Sequence, residues 1–306
     1  MIHLVTLNPA LDLELYLRSP RHGKIGEVLF SDVESGGKAL NIARYLKKSR
    51  VPFTVWSGTG GGDHPTHLLY RSLLEREGLA VNFLSRQAPV RLNVVVERNG
   101  RREKFNHPGF ELDLTGFQRL DRTLRRDDLL VLTGRLPQGM NPKLYASWAA
   151  AYGAKGVRVA VDTSGVPLRE ALKAGVWFFK VNLFEFNEGL GKGFRDLDQV
   201  AKFIPVFLKA GLLHGAVTNG AEGAVLWNGP VACRVKPSQK LSGKMVVGAG
   251  DGFLAGYLKA YREKKNFWDC ARTAGAFAAT VARTGIMKFD ADLAKKNLKR
   301  TTLQRL

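Results

Sequence analysis

Cysteine is nearly missing from this chain: only Cys233 and Cys270 occur, without metal-ligand spacing. That excludes a disulfide framework and a cysteine-based zinc site. Long hydrophobic runs are absent too. None approaches the ~20 residues that a membrane-spanning helix needs, so no membrane partner is expected. The opening, MIHLVTLNPALDLELYL, has no basic n-region and meets Pro9 and Asp12 early. It reads as a strand and loop rather than a signal peptide, and a cytoplasmic protein is expected. Repeats, low-complexity linkers and abrupt composition shifts are likewise lacking, so residues 1–306 are read as a single unit. Acidic residues are few, 27 against 47 Lys and Arg, giving a formal charge of +20. Such a surface attracts anions: phosphorylated metabolites, nucleic acid or an acidic membrane face. The basic residues are spread along the chain, and a generally basic surface accounts for most of them.

Glycine, by contrast, is placed where it carries information. Gly248-Ala249-Gly250-Asp251 runs directly into an apolar helix-forming stretch containing Phe253, Leu254, Ala255, Tyr257 and Leu258. Small residues there put a tight turn on a helix N-terminus. Unpaired N–H groups and the positive end of the helix dipole then make an anion site. An Asp at the mouth of such a site is unhelpful unless it accepts a proton or holds a metal. Phosphoryl transfer resolves that conflict, with amides around the phosphoryl and Asp251 serving an attacking hydroxyl. A plainer alternative stands beside it: Gly-Ala-Gly allows close helix packing, and Asp251 is an N-cap.

The element pattern is α/β. Strands are expected at Ile2–Leu7, Phe53–Ser57, Leu129–Leu132, Val157–Asp162 and Phe178–Val181. Helices are expected at Lys38–Leu46, His64–Glu77, Pro142–Tyr152, Pro167–Ala174 and Phe184–Gly189, with NPALD read as a turn. Strand–helix alternation punctuated by Gly, Pro and Asn implies right-handed crossovers and a mostly parallel central sheet sandwiched by helices. Two stretches break the rhythm. Leu13–Ser31 and Arg91–Phe105 alternate apolar with polar residues, and the second turns at Asn99-Gly100. They read as half-exposed strands outside the main sheet, suited to a lid near residues 12–35 and 91–105.

Ligands of open parallel sheets sit at the carboxyl ends of strands. Asn8, Asp12 and the Gly36-Gly37-Lys38…Asn41 group could hold a polyhydroxylated ligand, since carboxylates and amides bond vicinal hydroxyls. Arg91 and Asn93 lie two apart on one strand and so face the same side, a pairing that suits a phosphate. Asn182 and Glu185 share one face of a helix start. They either position a hydrated magnesium ion or form a capping pattern. Thr218, Gly220 and Gly223 form a further Gly-rich strand end that could accept a nucleotide.

Taken in order, TLNPALD, SGGKALNIAR, GTGGGD, RLN, TGRLPQGM, DTSG, KVNLFE and VVGAGDGFLAG resemble the PfkB (ribokinase-like) carbohydrate kinase family over nearly the whole chain. NPALD and GGK-x-x-N look like its hexose-phosphate kinase branch, 1-phosphofructokinase and tagatose-6-phosphate kinase. The resemblance implies a ribokinase-like fold with a small β lid over the sugar, ATP and Mg2+ as cofactors, and a homodimer through the lid. It also implies roles. Asp251 would be the catalytic base, and the amides of Gly248, Ala249 and Gly250 the anion hole. Asp12, Gly37 and Asn41 would hold sugar hydroxyls, with Lys38, Arg91, Asn93 and Arg135 near the existing phosphate. Lys180, Thr218, Gly220 and Gly223 would line the nucleotide side, where Asn182 and Glu185 match the N-x-x-E motif associated with magnesium.

Four departures from the family pattern stand out. Ala39 stands for Gly, Arg135 for Ser, Val181 for Pro, and Val246-Val247 for a pair that includes a hydroxyl. None removes the base, the anion hole or the N-x-x-E pair. The implied activity is ATP-dependent phosphorylation of a ketohexose monophosphate, with fructose 1-phosphate first, then tagatose 6-phosphate and fructose 6-phosphate. A reading from another class is a catalytically silent scaffold that binds nucleic acid through Lys295, Lys296, Lys299, Arg300 and Arg305. It is disfavoured because that run has no interleaved aromatics on which bases could stack.

Overall fold

A computed structural model describes residues 1–18, 25–113, 115–237 and 247–306; of the departures above, Val246 lies outside them. The strands are β1 (Ile2–Thr6), β2 (Ala10–Arg18), β3 (Glu27–Gly36), β4 (Thr54–Ser57), β5 (Val81–Phe83), β6 (Arg91–Arg98) and β7 (Arg101–Asn106). They continue as β8 (Leu129–Thr133), β9 (Arg158–Asp162), β10 (Phe178–Asn182), β11 (His214–Thr218), β12 (Ala224–Asn228), β13 (Val231–Lys236) and β14 (Thr302–Arg305). The helices are α1 (Lys38–Lys48), α2 (Pro65–Arg76), α3 (Gln118–Thr123), α4 (Leu144–Ala154) and α5 (Gly165–Lys173). After them come α6 (Leu183–Leu190), α7 (Leu197–Lys209), α8 (Ala249–Arg262), α9 (Phe267–Thr284) and α10 (Ala291–Leu298).

Ten strands form the large sheet, in the order β14-β13-β12-β11-β10-β9-β8-β1-β4-β5. From β5 to β11 neighbouring strands run parallel, and β12 to β14 add an antiparallel edge. Helices cover both faces, so the central strands are apolar on both sides. Strand alternation divides the core accordingly. Leu129 and Val131 of β8 join Leu40, Leu254 and Ala274 from α1, α8 and α9, while Leu130 and Leu132 join Tyr145, Leu168 and Val200 from α4, α5 and α7. Local signals set the helix starts. Pro65 opens α2 behind His64, whose ring accepts from the Thr66 N–H, and Asp196, Asn266 and Asp290 cap α7, α9 and α10.

A second sheet has the order β3-β2-β6-β7. Its β6–β7 hairpin turns at Asn99-Gly100, with φ of 52° and 73°, as the sequence signal requires. NPALD, expected as a turn, is only partly one. Ala10, Leu11 and Asp12 already belong to β2, because that strand is held on both sides by β3 and β6. The register lines up Glu34, Asp12, Asn93 and Asn106 as one polar rung across all four strands. The basic C-terminal run is built into the fold: α10 packs on α9, and β14 pairs with β13. Among the described residues no helix is long and apolar enough to cross a membrane.

Candidate active site

A cavity of about 810 Å³ lies where the carboxyl ends of β10 and β11 approach the small sheet. The polar rung lines one end, the start of α8 lies along the middle, and Thr218, Gly220 and Gly223 line the other end.

Gly248 caps α8 with φ 84°, a left-handed conformation that glycine adopts without strain; a Cβ there would lie 2.5 Å from Ile286. The first intrahelical bond runs from Gly252 N–H to Gly248 O at 2.9 Å. It leaves the N–H groups of Ala249, Gly250 and Asp251 without intrahelical acceptors at the positive end of the helix. Asp251 is therefore the third helical residue and not the cap. Its carboxylate is 6% exposed, and Oδ2 accepts from Asn41 Nδ2 at 2.8 Å. Burial pushes the Asp251 carboxyl up to about 6, with Asp162 adding to the rise; Lys38, Lys180 and the Asn41 hydrogen bond oppose it.

Asp162, at the end of β9, is the residue the sequence reading missed. It is fully buried, and it accepts from Lys38 Nζ at 2.6 Å and Lys180 Nζ at 2.9 Å. Burial alone would raise the Asp162 carboxyl, but the two ammonium groups hold it below the usual carboxylate range. For Lys38, burial acts to lower the pKa, yet Asp162, Glu185 and Asp251 outweigh it and keep the ammonium charged. Lys38 also donates to Glu185 Oε1 at 3.3 Å. Its partners are thus on β9 and α6, whereas Arg91 bonds Asn8 O, Asn93 Oδ1 and His107 O. The two cations expected to share a phosphate are tied to different walls.

At the end lined by the polar rung, Asp12 Oδ1 accepts from Asn93 Nδ2 at 2.7 Å, and the Gly36 backbone passes so close that a Cβ would sit 2.1 Å from Asp12. Gly37, φ 134°, caps α1 in a conformation that favours glycine. Burial and then Arg135 depress the Arg91 guanidinium, against the pull of Asp12. Arg135 itself is exposed on the loop after β8, beyond the cavity lining. Glu34, Lys104 and Asn106 also line this end. The sequence held a signal for Asn106, since the hairpin turn at Asn99-Gly100 sets it opposite Asn93, whereas Glu34 meets Asp12 only through the register of β3 on β2.

At the other end Asn182 and Glu185 form a complete capping box on α6. Asn182 Oδ1 accepts from Glu185 N–H at 2.8 Å, and Glu185 Oε2 accepts from Asn182 N–H at 3.0 Å. Both still line the cavity. Gly223, φ 89°, passes so near β13 that a Cβ would meet Val235 O at 2.0 Å. The departures are mild: Ala39 and Val181 are buried within α1 and β10, and Val247 lines the cavity with its side chain exposed.

Comparison with known proteins gives the same picture from outside. The chain is 28% identical over 280 residues to 1-phosphofructokinase of Escherichia coli strain K12, covering 90% of this chain and 88% of the relative. It superposes on the crystal structure of Escherichia coli phosphofructokinase-2 in complex with substrates and products with a TM-score of 0.86 at 23% identity, covering 97% and 98% of the two chains. Arabidopsis thaliana ribokinase, complexed with ribose and ATP, gives 0.75 at 21% identity over 97% and 98%. The fold is ribokinase-like. Residues 21–287 match the model of the pfkB family carbohydrate kinases. A helix start of free amides holding a buried carboxylate beside two ammonium groups, on this fold and with this match, means that the chain belongs to the pfkB family of carbohydrate kinases, phosphotransferases whose acceptor is an alcohol group.

Proposed function

We propose that the chain transfers the γ-phosphoryl of ATP to a primary hydroxyl of a ketohexose monophosphate, and that fructose 1-phosphate, giving fructose 1,6-bisphosphate, is its first substrate. One observation carries the reading: Asp251, buried and titrating near 6, stands at the start of α8 beside the free amides of Ala249 and Gly250. The hydroxyl oxygen attacks the γ-phosphorus in line, its proton passes to an Asp251 oxygen, and the bond to the β-phosphate oxygen breaks to release ADP. The amides, Lys180 and Lys38 face the charge that develops on the transferring group, where preorganised donors act most strongly. This assigns Lys38 to the transferring phosphoryl rather than to the resident one. Asp12, Gly37 and Asn41 orient the sugar, and Arg91 and Asn93 face its existing phosphate, with Arg135 outside the cavity lining. Thr218, Gly220 and Gly223 border the nucleotide.

Asn182 and Glu185 fit a hydrated magnesium ion. Among the described residues no group of three acidic, His or Cys side chains forms a direct cage, and a lone carboxylate with waters and phosphate oxygens is how Mg2+ is commonly held. Bound there, the ion would screen the charge on the nucleotide phosphates. The small sheet acts as a lid that excludes water, in one kinase unit spanning residues 1–306. Its outer strands leave Val28, Phe30 and Phe105 more than half exposed, an apolar face for the lid of a second copy.

The test is a coupled ADP-release assay over fructose 1-phosphate, tagatose 6-phosphate, fructose 6-phosphate and free fructose. The highest kcat/KM is expected with fructose 1-phosphate. A higher value for another member would replace the substrate, and no sugar-stimulated ADP release at all would overturn the reading.

A further inference from the structure

Arg44 lies on α1, one turn beyond Asn41, and carries no role in the scheme above. It is 6% exposed although it is an arginine. Its guanidinium is held from every side. Nε and Nη2 donate to the two carboxylate oxygens of Glu77 at 2.6 and 2.8 Å, Nη2 donates to Ser35 O and Oγ at 2.6 and 2.7 Å, and Nη1 donates to Asn41 Oδ1 at 2.8 Å. Ser35 Oγ in turn donates to Glu77 Oε1 at 2.8 Å. A guanidinium has donors only, so the atom of Asn41 that faces it must be the carbonyl oxygen. The amide NH2 is then forced to the opposite side, where Nδ2 meets Asp251 Oδ2 at 2.8 Å.

We propose that Arg44, clamped by Glu77 and Ser35, is a positioning residue for the base: it fixes the rotamer and flip of Asn41 so that an N–H is always aimed at Asp251. The inference rests on Asp251 being the base, as proposed above. Without Arg44 the Asn41 amide can turn its oxygen toward Asp251, replacing an attraction with a repulsion between two acceptors. The aimed N–H favours the ionised carboxylate, the form that can take the hydroxyl proton. It also holds that carboxylate against one wall, so the other oxygen, Oδ1, is presented to the cavity. Lys38 and Lys180 (attractive), Asp162 (repulsive) and the Tyr45 hydroxyl also face Asp251; Glu34 and Glu77 face Arg44. Glu34, Glu77 and the Tyr45 hydroxyl feel Arg44 directly, so a displaced pH profile is assigned to the Asn41 link by comparing Arg44→Met with the double variant.

The experiment measures kcat, KM for both substrates and the pH dependence of kcat/KM for wild type, Arg44→Met, Asn41→Ala, the double variant and Glu77→Gln, with Asp251→Asn alongside and thermal unfolding recorded for each. Arg44→Met is expected to move the acidic limb upward by roughly one pH unit. It should lower kcat about tenfold, within what a misplaced catalytic group costs, with KM for ATP unchanged. The double variant should be no worse than Asn41→Ala, because Arg44 acts through Asn41. Glu77→Gln, which keeps shape and a neutral acceptor, should move the limb the same way by less, and it decides the matter if Arg44→Met does not fold. A variant with lowered stability but wild-type kcat and acidic limb would overturn the proposal, as would additive losses in the double variant. Turnover by Asp251→Asn would instead overturn the assignment of the base, an outcome separate from either.

Discussion

Lys180 donates to Asp162 across 2.9 Å with the two side chains 4% and 0% exposed, and the same carboxylate takes Lys38 on its other oxygen. One buried anion therefore holds two cations beside Asp251. Asp162→Asn leaves Lys180 buried without its carboxylate, and removing one partner of such a pair costs about 3–5 kcal/mol. Chemical denaturation should show a loss of that size. A loss under about 1 kcal/mol would mean that the ammonium is solvated in a way this geometry does not allow.

Gly250 lies directly against that cluster, since a Cβ on it would stand 2.7 Å from Lys180 Nζ. Gly250→Ala is compatible with the helix itself, so stability should change little while the methyl displaces the ammonium. The expected result is a fall in kcat of about a hundredfold, comparable to the loss of one preorganised donor, with KM for the sugar nearly unchanged. Wild-type kcat would show that Lys180 does not act on the transferring group.

Asp251→Asn should reduce turnover about a thousandfold, the range that general-base catalysis supplies, and leave ATP binding by calorimetry intact. The stability of the same variant has a definite sign. The folded carboxyl titrates near 6 against an ordinary value of 3.8, so ionisation is harder in the folded state. Wild type gains stability from the protonated form below about pH 4 and loses it as pH rises through 6. The amide that replaces the carboxyl never ionises, so the variant should be more stable than wild type at pH 8, by on the order of 2 kcal/mol, with the gap closing toward pH 4. The acidic limb of wild-type kcat/KM should likewise fall near pH 6.

Arg91→Ala removes a cation whose bonds to Asn8 O, Asn93 and His107 O also brace the end of the cavity lined by the polar rung. KM for phosphorylated ketohexoses should rise at least tenfold, as for a lost charge-assisted hydrogen bond, and kcat for free fructose should change little. Equal effects on both sugars would reduce Arg91 to a brace.

The exposed Phe30 offers a test of the lid as an assembly face. Light scattering should give a dimer for wild type and a monomer for Phe30→Lys. A wild-type monomer at micromolar concentration would remove that part of the proposal.

The parallel strands and their helices were legible because each is an apolar run bounded by punctuation: β8 and β9 start and end within a residue or two of the expected limits, and the α2 caps coincide with His64 and Glu77. The start of β2 was not, because Ala10 to Asp12 are extended by pairing with β3 and β6, far away in sequence. The helix start at Gly248 was read as an anion site from local chemistry alone. Asp162 was invisible by the same measure. Its importance comes from Lys38, 124 residues earlier, and Lys180, 18 later, and no local pattern joins the three. No local signal singles out Arg44 among the basic residues, since only the fold brings Glu77 and Asn41 to its two ends.

The rung of Glu34, Asp12, Asn93 and Asn106 belongs to the small sheet, while Asp162 and Lys180 lie on β9 and β10 of the large one, Asp251 and the free amides start α8, and Lys38 starts α1 directly after β3. On the proposed reading, the small sheet carries acceptor recognition and the large sheet most of the transfer apparatus, and the two are joined where β3 runs into α1. A change of acceptor can accumulate one side chain at a time along a single line of four strands, leaving the transfer apparatus untouched. An insertion of one residue in any of those strands has the opposite effect, since it turns that strand's whole contribution away from the cavity at once.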